Sequence, residues 1–545
     1  MKISNARLLR FVSFDVIHRL FFVIDYSSAI FKYLIAPLYL KFYFIVKKLY
    51  QNNIFGVLDR EMLYWSNKEK ELLSLGNGYN SSIDNLGLLP YHIERLKRMT
   101  QEQFEVVIAD IDQDGSFLSY FGPVLNARVV NKDNWLKRTK FDLQLVVTNG
   151  SVGVKKIFKK NKISFLNEVR ALYYLRGCGC NVPAIQAIDF NNISITVSYI
   201  SGRVLRTELF EKAMVLNDRQ SKANAQSFLL TDTATEKMRI EKCKQVLGDV
   251  IDKCFIEFLF VELKKLHAAG FIWNDLKYGN VIIEQQSNLP FLIDFEASGH
   301  YPTLFKESFC ILRDKEIARF NQLFNTDKIC NRKRIQNRID QERNCELYAP
   351  VYWGAGLHLG NVSDVETGFG RWQYILKRNI PNFVKKRILD LGANNAFNSI
   401  QLLRNGAYEA VAIELQNKFI EQGAFIKDVF EYYDNKVYNL KHVQNNMQNV
   451  SEMNLGKFDI VLALCCIYYL DDAAISKLIS YISTITDILV LQCNTELSPD
   501  RIDAHVYTKA SVEYNLMTLV RNGFPHTQVI GFPGYNRPLI IARKT

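Results

Sequence analysis

Ten cysteines and eight histidines contain no CxxC pair and no Cys/His cluster at zinc spacing, so neither a zinc module nor a dithiol redox motif is expected. A cleavable signal pattern is also lacking, which fits a reduced, cytoplasmic setting. Cys178 and Cys180 of the GCGC run then read as small buried thiols. No charge-free run reaches the 18 or so residues of a spanning helix. The stretch 27–46 comes nearest, but it holds Lys32, Lys41 and a kinking Pro37. There is no GxGxxG fingerprint, which argues against a dinucleotide dehydrogenase, and no long heptad pattern.

What is present is a 545-residue chain, long enough for three or four folding units. With 48% hydrophobic and 23% charged residues, general disorder is excluded. The net charge is 68 − 56 = +12, and half of the excess lies in residues 1–50, where eight basic residues face two acidic ones among twelve Phe and Tyr. Aromatic rings interspersed with cations suit a helix lying in the headgroup boundary, at the inner face of the cytoplasmic membrane. A helical pair packed on the next domain is the competing reading of this segment.

Patterning divides the rest. Residues 51–115 are a helical scaffold without evident chemistry, 116–324 a first catalytic domain, 325–350 a charged linker or surface helix, and 351–545 a second catalytic domain.

In the first of these, HAAGFIWNDLKYGNVII sets Asp275, Lys277 and Asn280 at relative positions 0, +2 and +5 between a helix and a β-branched run, and Asp294 follows in PFLIDFEAS. Phosphoryl transfer needs a carboxylate for the attacking hydroxyl, a cation near the moving group, and oxygens for Mg²⁺. Asp275, Lys277 and the pair Asn280 with Asp294 fit those roles in that order. The residues resemble the protein-kinase-like superfamily over roughly 120–320. That resemblance implies a two-lobed α+β fold, ATP as phosphoryl donor, Lys155 of VGVKKIF on the ATP phosphates, Glu168 paired with that lysine, and a hinge at SYISGRVL. Two features depart from the pattern. The segment NARVVNKDNWLKRTKFDLQLVV has no glycine for a phosphate lid, leaving Lys132, Lys137, Arg138 and Lys140 as substitutes, and the metal turn reads DFE. The latter suits kinases of small molecules and glycans; a pseudokinase that only binds is the alternative.

In the second, KKRILDLGANNAFNSIQLLRNGAYEAVAIELQ reads as a buried strand, a Gly/Asn turn, a helix and a second strand ending in an acid. LDLGANNAFNS, preceded by TGFGRW, resembles motif I of class I S-adenosylmethionine methyltransferases. The likeness runs from about residue 351 to the C-terminus and implies an α/β Rossmann-like domain. It places Asp390 near the methionine amino group, Gly392 and Asn394 in the cofactor turn, Glu414 on the ribose, Asn445 or Asn446 beside adenine, and Tyr468 of FDIVLALCCIYYL toward the acceptor. Relatives often read YHL where this chain reads Tyr468, Tyr469 and Leu470, so a base histidine is missing. An acceptor already anionic, such as a phosphate, needs none. Arg371 and Arg537 are candidates to grip it, with structural ion pairs the bland alternative for each.

Together the parts are similar to bifunctional kinase/methyltransferases that terminate bacterial O-antigen chains, with the domain order reversed. That likeness implies ATP, Mg²⁺ and S-adenosylmethionine, and a lipid-linked glycan that is phosphorylated and then methylated. Two other readings stay open: an RNA-modifying methyltransferase, suggested by the basic charge and the TGFGRW region, and a methyltransferase with a kinase-like binding platform.

Overall fold

The computed structural model describes residues 40–41, 57–74, 142–148, 151–158, 161–209, 212, 241, 243–301, 306–342, 350–354, 357–360, 369–495, 504–532 and 535–545. The aromatic basic segment, Lys132, Lys137, Arg138 and Lys140, and most of the insertion after Glu208 lie outside the described residues. Among those described, no helix is long and apolar enough to cross a membrane. The chain divides into two compact units between Cys330 and Asn331.

The first unit contains helices α1 (Val57–Asn67) and α2 (Glu69–Ser74), then strands β1 (Asp142–Thr148) and β2 (Ser151–Ile157), helix α3 (Lys162–Gly177), and strands β3 (Ile185–Asp189) and β4 (Ser194–Ser198). The strands form an antiparallel sheet in the order β1-β2-β4-β3. Thr148 pairs with Ser151 across the Asn149-Gly150 step, a dipeptide that favours a two-residue hairpin. Asn161 caps α3 by accepting from the Ser164 N–H at 3.1 Å.

After β5 (Gly202–Val204), helix α4 (Lys253–Ala268) is capped by Asp252 and leads into β6 (Phe271–Ile272), β7 (Val281–Glu284), β8 (Pro290–Leu292), β9 (Gly299–His300) and helix α5 (Lys306–Phe324). Strands β5, β7 and β8 form one small sheet and β6 pairs with β9. One core holds Phe158, Phe165, Leu172, Leu266, Trp273, Phe295 and Phe320, each almost completely buried. Trp65 and Leu72 belong to that same core, so α1 and α2 are part of this unit rather than a separate scaffold. Asp59 takes Lys162 at 2.7 Å, Glu61 takes Arg170, and Trp65 meets Tyr173 edge-on.

The second unit opens earlier than the sequence suggests. The stretch read as a charged linker or surface helix contains helix α6 (Arg332–Glu342), polar on most positions but anchored by buried Ile335 and Ile339 one turn apart. It is followed by the hairpin β10 (Val351–Gly354) and β11 (Leu357–Leu359). The rest is a seven-stranded sheet built from β12 (Arg387–Leu391), β13 (Glu409–Glu414), β14 (Leu440–Gln444), β15 (Ile460–Leu464), β16 (Ile488–Gln492), β17 (His526–Phe532) and β18 (Tyr535–Arg543). Its order is β14-β13-β12-β15-β16-β18-β17; the first five strands are parallel and β18 runs antiparallel to both neighbours. Helices α7 (Phe397–Arg404), α8 (Asn417–Asp434), α9 (Asp472–Ile485) and α10 (Val512–Arg521) join the strands. All residues of β13 and β15 are buried, as a parallel sheet covered on both faces requires. The strand order reverses between β12 and β15, where an open α/β sheet leaves a crevice beyond its carboxyl ends.

Candidate functional sites

In the first unit the lysine expected to meet Glu168 is displaced by one residue. Lys156, not Lys155, places Nζ 3.1 Å from Glu168 Oε1 and 3.0 Å from Asp294 Oδ1. The reason is strand phase. Lys156 shares a face of β2 with Val154 and Phe158 and stands opposite Ile195 of β4, all turned to the core; Lys155 stands opposite Thr196 on the other face. Burial opposes the Lys156 charge, but Asp294 and Glu168 outweigh it and hold its pKa above the ordinary lysine value. Burial also pushes the Glu168 carboxyl up, with Lys156 pulling against it.

Glu168 does more than pair with the lysine. Its Oε2 accepts the Phe295 N–H at 2.7 Å, so the same carboxylate fixes both the cation and the DFE turn. Asp294 sits there at φ 66°, in the left-handed region, while its carbonyl accepts from the Trp273 indole at 3.2 Å. Phe295 stacks on Trp273 with ring centroids 5.7 Å apart. A residue held in this sparsely populated backbone region needs such clamping from several sides.

The loop after β6 is equally ordered. Lys277 Nζ donates to Asp275 Oδ2 at 2.6 Å, and Asn280 Nδ2 donates to both the carbonyl and Oδ2 of Asp275, each at 2.9 Å. With the Asn280 amide nitrogen committed to Asp275, its oxygen is the end left for a cation. Among the described residues no cluster of three or more His, Cys, Asp or Glu could hold a metal by itself. Asn280 and Asp294 thus suit an ion that shares its shell with phosphates, which is the habit of Mg²⁺.

Glu316 of α5 escaped the sequence reading. Buried beneath the loop, it accepts the N–H of Trp273 at 3.1 Å and of Asn274 at 2.7 Å, and bonds His267 Nε2 at 2.9 Å. Asn274, just before Asp275, has φ 63°. No motif announces Glu316, because it lies more than forty positions along the chain from the loop it holds.

In the second unit Asp390, next to last in β12, is buried and accepts from Ser399 Oγ at 2.6 Å. Burial raises its carboxyl to about 6, although Ser399 and Arg371 favour the anion. Gly392 follows at φ 59°; a Cβ there would stand 2.8 Å from Cβ of Cys466, so the turn admits glycine alone. Asn394 continues at φ 54° and donates its N–H to Glu414 Oε2 at 2.8 Å, while Glu414 Oε1 accepts from the Gln416 N–H at 2.9 Å. Asp390, Gly392, Asn394 and Glu414 therefore gather at the carboxyl ends of β12 and β13. Asn446 caps the short helical turn Met447–Glu452 through the Gln448 N–H, and Asn445 accepts from the Asn446 N–H at 2.7 Å.

The two arginines part company. Arg371, expected at an acceptor phosphate, is buried on the turn before a π-helical segment, Trp372–Leu376. It donates to Gln492 Oε1 and lies close enough to Asp390 to favour that anion, and its Nε is buried without a hydrogen-bond partner. A cation so placed is a poor grip for a solvent-borne acceptor and a good one for an anionic group seated over β12. Arg537 is half-buried on β18, and its carbonyl accepts from Gln492 Nε2 at 2.9 Å. Tyr468 is buried and its hydroxyl meets Asn494 Nδ2 at 3.4 Å.

No protein-family model matches the chain. "Probable choline kinase 3" of Arabidopsis thaliana is 25% identical over 143 residues, 22% of this chain and 41% of that protein. The chain thus spans well under half the length of this curated relative. Among solved structures, the N-terminal domain of EvdMO1 in the presence of SAH and D-fucose is 16% identical with a TM-score of 0.30, covering 40% of this chain and 98% of that one. The bifunctional kinase-methyltransferase WbdD is 16% identical with a TM-score of 0.24, covering 29% of this chain and 35% of that one.

Proposed function

We propose that the chain is a bifunctional enzyme whose first unit transfers a phosphoryl group from ATP to a hydroxyl of a glycan and whose second unit methylates the resulting phosphate or a nearby oxygen. The glycan is carried on a lipid, and residues 1–50 attach the chain peripherally to the membrane that holds it. The observation that carries the reading is the closed set Lys156–Glu168–Asp294 together with the ordered loop Asp275–Lys277–Asn280. Asp275 would orient and deprotonate the hydroxyl, Lys277 would meet the moving phosphoryl group, Lys156 would fix the ATP phosphates, and Asn280 with Asp294 would hold Mg²⁺.

S-adenosylmethionine supplies an electrophilic methyl group when bound. The buried Asp390 anion suits its ammonium and Glu414 its ribose hydroxyls; Gly392 and Asn394 let the backbone approach it. Arg371, with an unpartnered buried Nε, suits its carboxylate. An acceptor phosphate attacks as an anion and releases no proton, which agrees with a site that has tyrosines where relatives carry histidine.

Mass spectrometry of a lipid-linked oligosaccharide incubated with Mg-ATP, S-adenosylmethionine, or both tests the coupling. Methyl addition only after phosphoryl addition is the expected result; methylation without ATP would detach the two activities.

Asp390 gives a sharper expectation. Its native pKa of about 6 lies above the ordinary 3.8. It therefore favours folding below about pH 4, and that advantage is lost as pH rises through 6. At pH 7 the buried charge costs up to about 3 kcal/mol. Asp390→Asn should raise the melting temperature at pH 7.5 by several degrees, with no gain at pH 4. The same variant should lose S-adenosylhomocysteine binding more than tenfold by calorimetry, and wild-type affinity should weaken as pH falls below 6. A variant neither more stable nor weaker in binding would remove the cofactor role from Asp390.

A further inference from the structure

Beyond β16 the chain places Asn494 against Tyr468 in a way that cofactor binding does not use. Asn494 is 8% exposed; its amide nitrogen meets the Tyr468 hydroxyl, while its buried Oδ1 has no hydrogen-bond partner. A buried amide oxygen left unmatched costs about 1–3 kcal/mol, and a bound ligand that donates a hydrogen bond recovers it. Around this amide the backbone closes tightly. The Asn494 N–H donates to the Ala510 carbonyl at 3.2 Å, and Tyr468, Cys465 and Ala510 pack with Val506 in a small apolar cluster.

Two tyrosines flank this point and face outward. Tyr469, 66% exposed, has its ring centroid 4.7 Å from that of Tyr468. Tyr507, 42% exposed, lies on the helix Ala504–Lys509, which packs on the turn carrying Tyr468 and Tyr469. Lys509 of that helix pins the turn by donating to the Leu470 carbonyl. Two large exposed rings thus stand on anchored elements that meet beside a buried polar group lacking its partner. The negative face of each ring attracts polarised C–H groups, and the buried amide oxygen takes a hydroxyl.

We infer that Asn494, Tyr469 and Tyr507 form the acceptor subsite of the second unit, and that it takes a pyranose ring laid on the tyrosines with one hydroxyl donating to Asn494. This rests on the methyltransferase reading above and adds the residues that select the acceptor. A nucleobase would stack on the same rings, so the experiment must set the two against each other.

Saturation-transfer NMR on the full chain, saturated with S-adenosylhomocysteine, would use methyl α-mannopyranoside, methyl α-glucopyranoside and uridine as separate probes. The expected result is transfer to the ring C–H protons of a glycoside, lost in Tyr469→Ala and Tyr507→Ala, kept in the Phe variants, and lost in Asn494→Ala. Calorimetric binding of S-adenosylhomocysteine should stay unchanged in both tyrosine variants. Because those tyrosines are exposed, their loss leaves the fold intact. Transfer to uridine with none to either glycoside, or glycoside transfer equal in wild type and the Ala variants, overturns the subsite while cofactor binding keeps the methyltransferase reading. A wild type that binds no S-adenosylhomocysteine removes that reading and the subsite with it.

Discussion

Replacing Lys156 with Met should lower ATP-dependent phosphoryl transfer by about 10²–10³-fold, the usual loss when one preorganised charge-stabilising donor is removed, whereas Lys155→Met should leave the rate within a few-fold of wild type. The two residues are neighbours with the same side chain, so the pair of variants isolates strand phase from charge. Lys156 is buried against two carboxylates and Lys155 is not. Removing one partner from a buried ion pair also destabilises, by about 3–5 kcal/mol. The melting temperature must therefore be recorded beside the rate. Lys156→Arg keeps the charge but not the point geometry, and should restore stability more than activity. Equal losses in the Lys155 and Lys156 variants would defeat the assignment.

Glu316→Ala should be the most damaging substitution in the first unit outside its hydrophobic core. It strips acceptors from the buried N–H of Trp273, from the partly buried N–H of Asn274, and from His267. At about 1–3 kcal/mol for each unmatched donor, the two N–H groups together cost up to about 2–6 kcal/mol. Glu316 does not touch the reacting atoms; it positions the loop that presents Asp275. A loop displaced by about 1 Å costs roughly 10²-fold in rate. Glu316→Gln, which retains one acceptor oxygen, should fold and bind nucleotide while losing kcat, as measured by ATP binding and steady-state phosphorylation. A Gln variant with weakened ATP binding and unchanged kcat would make the residue merely structural.

Much of this arrangement was readable from spacing. The loop Asp275–Asn280, the turn at Asp294, the turn at Gly392 and the acid ending β13 are local patterns, and local patterns survive without knowledge of tertiary contacts. The errors arose where a neighbour decides. Lys155 and Lys156 are chemically identical, and only the face occupied by Val154 and Phe158, against that of Gly153 and Ile157, separates them; the alternation favours Lys156. Arg371 reads from the sequence as a candidate grip for an acceptor phosphate, and its burial beside Gln492 and Asp390 comes from elements far along the chain. Ile335 and Ile339 are two apolar residues in a run dominated by Arg, Asn, Gln and Asp, and their burial depends on partners far along the chain. Glu316 and Asn494 carry no signature because each acts on residues in a different element.

The packing of α1 and α2 on α3 sets a limit on how the protein can be shortened. Trp65 is buried, and Asp59 and Glu61 receive Lys162 and Arg170 from the helix that carries Glu168. A chain trimmed to begin at residue 116 would uncover apolar surface of that helix and remove the ion pairs of Lys162 with Asp59 and of Arg170 with Glu61. The carboxylate facing Lys156 would then ride on an unsupported lever. Residues 57–74 in this sense buttress the helix that carries Glu168, and a minimal version must carry them.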